Sequence, residues 1–350
     1  MGAGIIASGD KQAAGFGDLA ERSGNSLYCT YFCWIIFGAD DDKVIIHDIK
    51  ALDAKSFLHE NKLRRFVVDK ENICIAVARN AKCLACTNGD NPDINAVLIA
   101  TRHSSHGDLT ARALLANKNV LVEKPLALDR AELNAIVKAR RQTDAFFQVG
   151  FNRRYAPLAI AARDHLEAAG GNRFVLIRVN AGPVEPEIWF NAPEEGGGRV
   201  LGEACHFVDL ARYFVGAPIV GVHAGAARVG QGVCDDLTIT LNFADGGLAT
   251  IAYTALGDTA YSKELIECYA GGAVVTIDDF RRLTVATGGK VTRPRKSTTQ
   301  DKGHAAQLKA FVDAVASGGG APVDEAELFE TSLATIAVME SLQTGETVKL

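Results

Sequence analysis

Two short stretches hold the side chains with the most chemistry to offer. In "NVLVEKPLALD" (119–129) an apolar run gives way without a break to Glu123, Lys124 and Pro125. A lysine just past the end of a buried parallel strand points into the crevice where such sheets bind ligands, bringing a positive charge and three N–H donors. Pro125 fixes the backbone behind it and so holds its direction. In "GEACHFVDLARYF" (202–214) His206 sits on a helix whose packing face is Phe207, Leu210 and Phe214. An imidazole changes charge near neutral pH. Taken alone, both residues have plainer readings: a solvated strand-end lysine and a satisfied histidine on an amphipathic helix.

The flanking elements set these residues in place. "INAVLIA" (94–100) is a continuous apolar run, as expected of a strand covered on both faces. A helical stretch follows, with Leu109, Ala113 and Leu114 on one face, and then the strand "NVLVE" (119–123). Asp129 and Glu132 form a D-x-x-E helix start before Leu133, Ile136 and Val137, and "AFFQVG" (145–150) is the next strand. Strand, helix, strand, helix, strand is half of a doubly wound, Rossmann-like parallel sheet. Beyond it, residues 173–182, 236–243, 248–255, 263–270 and 273–278 read as strands, with turn signals at "ADGG" (244–247) and "GG" (271–272). Two helices end the chain, one beginning near Gly303 and one over roughly 324–343. The expected fold is therefore α/β: a dinucleotide-binding domain over 1–149, then an α+β domain over 150–350 with an open, mainly antiparallel sheet. The second domain is expected to serve substrate and oligomerisation, its last helix packing back on the first.

Residues 1–90 fit this plan poorly. A dinucleotide site opens with an apolar strand, then G-x-G-x-x-G/A, then a helix. "GAGIIA" (2–7) supplies Gly2, Gly4 and Ala7, but only Met1 precedes it. "GFGDLA" (15–20) repeats the pattern, again without a strand before it. "KVIIHD" (43–48) offers a strand ending in an acid, yet Asp48 lies far beyond the usual spacing of about 20 residues from the glycines. The first strand of the domain is apparently missing.

Composition excludes several classes. A net charge of -5 provides no broad basic field for nucleic acid or an anionic membrane. The longest apolar run, "LYCTYFCWIIFG" (27–38), is too short to span a bilayer. Cys83 and Cys86 make one C-x-x-C without a second ligand pair, so no metal site is expected, and the 8 cysteines read as reduced thiols of a cytoplasmic protein.

Several segments in order carry a resemblance. "AVLIATRHSSHGDLTARALLANKNV" (96–120), "VEKPLAL" (122–128), "QVGFNRRYAP" (148–157) and "GGGRVLGEACHFVDLARYFVG" (196–216) resemble the glucose–fructose oxidoreductase / inositol dehydrogenase / rhizopine-catabolism family. With "QDKGH" (300–304), the later segments look most like the C-terminal module of bi-domain oxidoreductases. The resemblance covers roughly residues 90–350.

It implies a dehydrogenase that moves a hydride between NAD or NADP and a secondary alcohol of a sugar or other polyol. Lys124 would stabilise the reacting oxygen and His206 would accept its proton, the two forming the catalytic pair. Cofactor contacts would come from Gly2, Gly4, Ala7, Thr101, Arg102, His106, Glu123, Lys124, Pro125, Asn152 and Arg153. Substrate contacts would come from Lys124, Trp189, Glu203, His206 and Lys302. The wider family has an Asp four residues before the histidine, where this chain has Gly202; Glu203, one position later, is what the bi-domain group carries. Asp209 matches a family acid and reads as structural. A homodimer or homotetramer is expected, paired through the open sheet, with no nucleic-acid or membrane partner. Two alternatives stay open: a cofactor-binding regulator without turnover, and the severed back half of a longer bi-domain enzyme.

Overall fold

The computed structural model describes residues 65–68, 73–78, 94–184, 189–192, 194–227, 235–296 and 299–350. Its helices are α1 (His106–Leu115), α2 (Arg130–Arg140), α3 (Pro157–Ala169), α4 (Cys205–Val215), α5 (His304–Ser317) and α6 (Glu325–Thr344).

The first sheet contains β1 (Arg65–Val68), β2 (Ile73–Ala78), β3 (Ala96–Ile99), β4 (Asn119–Val122) and β5 (Phe147–Val149), side by side in that order. β2 to β5 are parallel, and β1 runs antiparallel to β2. β1 and β2 correct the sequence reading, which placed no strand between residues 49 and 93. Both are short, largely apolar runs, "RFVV" and "ICIAVA", without the glycine spacing that marks a dinucleotide loop.

Each face of β3 and β4 is covered. Val97, Ile99, Val120 and Val122 share a core with Leu109 and Leu114 of α1 and with Leu133 and Ile136 of α2. Ala96, Leu98 and Leu121 pack instead with Leu308 and Phe311 of α5. The D-x-x-E signal works as read: Asp129 accepts from Glu132 N (2.8 Å), and Glu132 Oε2 accepts from Leu128 N (2.8 Å). Val137, expected on the apolar face of α2, is only half-buried, and Ala139 lies buried on that helix.

The second sheet contains β6 (Phe174–Asn180), β7 (Ile219–Ala226), β8 (Leu237–Phe243), β9 (Leu248–Thr254), β10 (Glu264–Ala270), β11 (Ala273–Asp278), β12 (Arg282–Thr287), β13 (Lys290–Lys296) and β14 (Val348–Lys349). Their order is β13-β12-β11-β10-β6-β9-β8-β7-β14, antiparallel except for the β6–β9 pair. The sequence reading had five of these strands and missed β7, β12, β13, β14 and helix α3. Val175, Ile177, Ile239 and Ile251 turn toward Phe207 and Phe214 of α4, as period-two patterning requires. The β10–β11 turn needs its glycines: Gly271 and Gly272 have φ of +51° and +79°, and a Cβ at Gly271 would lie 2.1 Å from the Ala169 carbonyl oxygen.

Helix α6 joins the two halves. Leu328 and Ile336 enter the core of the first sheet, while Ala334, Ala337 and Val338 enter that of the second. Glu325 at its start pairs with Arg140 (2.7 Å) and accepts from Phe147 N (2.9 Å).

Candidate active site

The carboxyl ends of β3, β4 and β5 deliver three short segments to one crevice. Glu123 N donates to the Ile99 carbonyl (2.8 Å) and Gly150 N to the Val122 carbonyl (2.8 Å), so the ladder continues to the point where the side chains diverge. Gly150 allows the closest approach: a Cβ there would sit 2.7 Å from Glu123 Oε2 and 3.2 Å from Glu123 Cα. Burial raises the Glu123 carboxyl above its ordinary range, against the pull of Lys124.

Lys124 reaches the other half of the molecule. Its Nζ donates to the carbonyl of Gly202 at 2.6 Å. Gly202 lies in a single π turn, Val200–Ala204, that leads into α4. π turns break the regular hydrogen-bond ladder and recur at functional sites. One turn further on is His206, ring-to-ring 6.3 Å from Phe151. Its Nδ1 is buried and meets no partner among the described residues. Burial pushes the imidazole pKa well below 6.5, and the charges of Arg153, Lys124 and Lys302 push the same way. His206 is therefore neutral at pH 7.

His106, expected to contact cofactor, has both ring nitrogens against backbone: Nδ1 is 2.7 Å from the Pro125 carbonyl and Nε2 3.1 Å from that of Thr101. It braces the loops after β3 and β4. The Lys124–Pro125 peptide it holds is cis. Thr101 accepts from Ser105 Oγ (2.6 Å). Arg102 pairs with Glu195 and lies 5.6 Å from the Trp189 ring centre, and His103 meets the same indole edge-on at 4.9 Å. Trp189 thus belongs to a strap, Trp189–Asn191 and onward to Gly196, that rests on the loop after β3. Ser104 N also donates to the Glu195 carbonyl (3.0 Å).

Glu203 is held on several sides. Tyr253 Oη donates to it at 2.5 Å, Lys263 Nζ lies at 2.7 Å and Arg199 at 3.3 Å. Burial alone would raise its carboxyl; Lys263, Arg199 and these hydrogen bonds instead hold it at about 2. Asn152, Arg153 and Lys302 come together around Glu264. Arg153 and Lys302 both bind Glu264, and Asn152 Nδ2 donates to the Lys302 carbonyl (2.8 Å). Asp209 forms a buried pair with Arg154 (2.6 Å), which also reaches Glu327 on α6. Gly2, Gly4, Ala7, Asp48 and the Cys83–Cys86 pair lie outside the described residues.

Sequence reasoning missed Glu264, Arg199, Tyr253 and Lys263. Glu264 had a signal, for it shares the alternating face of Ile266 and Cys268 in β10 and is a carboxylate in an apolar register. The other three are brought to Glu203 by tertiary folding alone.

The crevice fits the nicotinamide end of a dinucleotide. It offers the Thr101 hydroxyl, the Glu123 carboxyl, the Lys124 ammonium and an orphaned imidazole nitrogen, groups suited to ribose hydroxyls and a reacting oxygen. A buried nitrogen without a partner calls for a ligand to complete it. Among the described residues no cluster of His, Cys, Asp or Glu could hold a metal ion.

A parallel sheet with a crevice at its strand ends, followed by a large open, mainly antiparallel sheet, defines a two-part Rossmann-type fold. Residues 48–151 match the family model described as "Oxidoreductase family, NAD-binding Rossmann fold", and residues 173–275 match the "GFO/IDH/MocA C-terminal domain". The chain belongs to the glucose–fructose oxidoreductase / inositol dehydrogenase / rhizopine-catabolism family. It is similar to the inositol 2-dehydrogenase of Rhizobium meliloti (strain 1021), 29% identical over 260 residues, covering 70% of this chain and 78% of that one. It is also similar to the levoglucosan dehydrogenase of Pseudarthrobacter phenanthrenivorans, 26% identical, covering 72% of this chain and 79% of that one. A solved levoglucosan dehydrogenase in complex with NADH and levoglucosan shares the fold at a TM-score of 0.68 and 21% identity, over 81% of this chain and 90% of that one.

Proposed function

We propose that the protein is an NAD-dependent dehydrogenase that oxidises a secondary alcohol of a sugar or cyclic polyol. Family membership and the inositol and levoglucosan dehydrogenases among its relatives support the reaction class. The observation that carries it is the contact of Lys124, past the end of β4, with the Gly202 carbonyl one turn before the neutral imidazole of His206 on α4, which supports reading the two as one site.

Nicotinamide, when bound, supplies the hydride acceptor. Thr101, Glu123 and Lys124 would hold its ribose and carboxamide side. Lys124 donates to the substrate hydroxyl oxygen, exchanging the Gly202 carbonyl for it, and stabilises alkoxide character. His206 takes the hydroxyl proton on its imidazole, for which a neutral ring is required. Glu203, fixed by Lys263, Arg199 and Tyr253, is placed to accept from a neighbouring substrate hydroxyl. Trp189 supplies a face to the sugar ring. The strap over the loop after β3 keeps water from the reacting carbon.

The division at residues 149/150, an intracellular setting and a second copy on the open sheet belong to the same reading. On that sheet face Phe174, Leu176, Tyr269 and Val274 are half-buried or exposed in one protomer. Among the described residues no helix is long and apolar enough to cross a membrane.

The test is reduction of NAD and of NADP, followed at 340 nm, with myo-inositol, levoglucosan and a panel of sugars and sugar acids, beside direct measurement of dinucleotide affinity. Turnover that disappears in Lys124→Met and His206→Asn supports the proposal. Tight dinucleotide binding with no oxidation of any member of the panel would replace it with the regulator.

A further inference from the structure

Tyr253 is a phenol where the packing asks only for an apolar ring. It shares the inner face of β9 with Ala249 and Ile251, is 1% exposed, and its ring lies 6.5 Å from that of Phe207, the residue beside His206. A phenylalanine would fill the same space. The hydroxyl donates to Glu203 Oε2 at 2.5 Å. Charge balance does not require that bond. Lys263 meets Oε1 at 2.7 Å, Arg199 meets Oε2 at 3.3 Å, and Arg199 is shared with Asp235 at 3.8 Å, so two cations already face two carboxylates. Arg199 is itself anchored on the Gly182 carbonyl (2.7 Å) and lies 5.2 Å from the centre of the Tyr253 ring. What the phenol adds is direction: with donors on both oxygens, the plane of the Glu203 carboxylate is fixed.

That carboxylate stands beside the reacting groups. Glu203 follows Gly202, whose carbonyl receives Lys124 Nζ at 2.6 Å, and precedes His206 by one turn. Its side chain stays 20% exposed. A carboxylate has about four acceptor positions, and three are filled among the described residues, which leaves room for one more donor. We propose that Tyr253 is a positioning residue for the reaction: its hydroxyl sets the Glu203 carboxylate to receive the substrate hydroxyl next to the one being oxidised, so that the site selects vicinal diols over isolated alcohols. This rests on the reading of the crevice as the site of a polyol dehydrogenase. A substrate without the second hydroxyl leaves a fixed carboxylate unmatched, and sites built to bind a hydroxyl reject analogues that lack it. Against the burial that would raise it, the carboxyl is held at about 2, so at neutral pH Glu203 accepts and does not donate.

The experiment is steady-state kinetics of the full chain on the polyol of the panel that is oxidised fastest. Beside it runs the analogue lacking a hydroxyl next to the oxidised carbon: 2-deoxyglucose for glucose, a monodeoxyinositol for myo-inositol. The wild type is expected to lose about tenfold or more in kcat/KM on the analogue, as one charge-assisted hydrogen bond should cost. Tyr253→Phe is expected to raise KM for the full polyol about tenfold with kcat within about twofold, and to leave kcat/KM for the analogue and dinucleotide affinity in place. In a Glu203→Ala background the same change is expected to add little, because the group it positions is gone. Lys263→Met, which removes the donor to Oε1, is read in the same way should Tyr253→Phe fail to fold. An unaltered KM in the folded variant, or an equal loss on polyol and analogue, overturns the proposal and leaves the dehydrogenase reading standing. A wild type that oxidises no member of the panel removes that reading and this inference with it.

Discussion

At the scale of the residue, the contrast between Lys124 and His206 lies in what surrounds each. The ammonium rests on a backbone carbonyl; the imidazole is buried among cations. His206→Asn is expected to lower kcat by about 10²–10⁴-fold while dinucleotide affinity is retained, measured by single-turnover kinetics and by fluorescence titration. The pH dependence follows from the direction of its shift. A group protonating well below 6.5 stays neutral down to about pH 6, so kcat/KM for oxidation should lose little there. An unperturbed imidazole would be roughly three-quarters protonated at that pH and lose activity accordingly. The places of Lys124 and His206, past a strand and on a helix, were legible from local pattern, but that pattern left each a plainer reading and only the family resemblance pointed to catalysis. Arg199, Tyr253 and Lys263 were not legible, since only the folded chain brings them to Glu203. The glycine at position 202 read as a missing carboxylate; the structure puts there the carbonyl that receives Lys124.

Among the elements, the loops at the strand ends bear the tightest constraint. Gly150→Ala would drive a methyl into Glu123, and either Glu123 or the end of β5 must move. A loss of about 1–3 kcal/mol in unfolding free energy is expected from such overpacking, together with a larger fall in kcat/KM than in stability-matched variants elsewhere. Asp129→Ala, by contrast, removes only the cap of α2. It should cost about 1 kcal/mol, seen as a melting shift of about 2–4 °C, and leave kcat unchanged. The strands the sequence hid are mostly peripheral. β13 is an edge strand that carries Lys290, Arg293 and Pro294 and exposes Val291, so its pattern is that of a protected edge rather than of a core. β3 to β5 were plain because burial on both faces leaves a continuous apolar run.

For the whole molecule, the buried histidines tie stability to pH. His103, against the Gly196 carbonyl at 2.7 Å, is lowered from 6.5 to about 3 by burial and by the Lys124 charge. Between those values the unfolded chain binds a proton that the folded chain refuses, so the contribution of His103 falls as pH drops below about 6.5. His103→Asn should therefore shrink the stability difference between pH 7.5 and pH 5 by about 1–2 kcal/mol, measured by urea unfolding at both pH values. The raised carboxyl of Glu123 works the other way, since its proton is held more tightly in the folded state, and Glu123→Gln measured beside His103→Asn separates these effects. The order of synthesis adds a consequence. The parallel sheet is made early, yet one of its faces is closed by α5, and its other core is completed by α6, from the last fifty residues. A growing chain on the ribosome must therefore carry a finished set of strands with an unsealed oily surface until translation is nearly over. Premature termination anywhere before Leu308 would release a sticky intermediate rather than a smaller working protein.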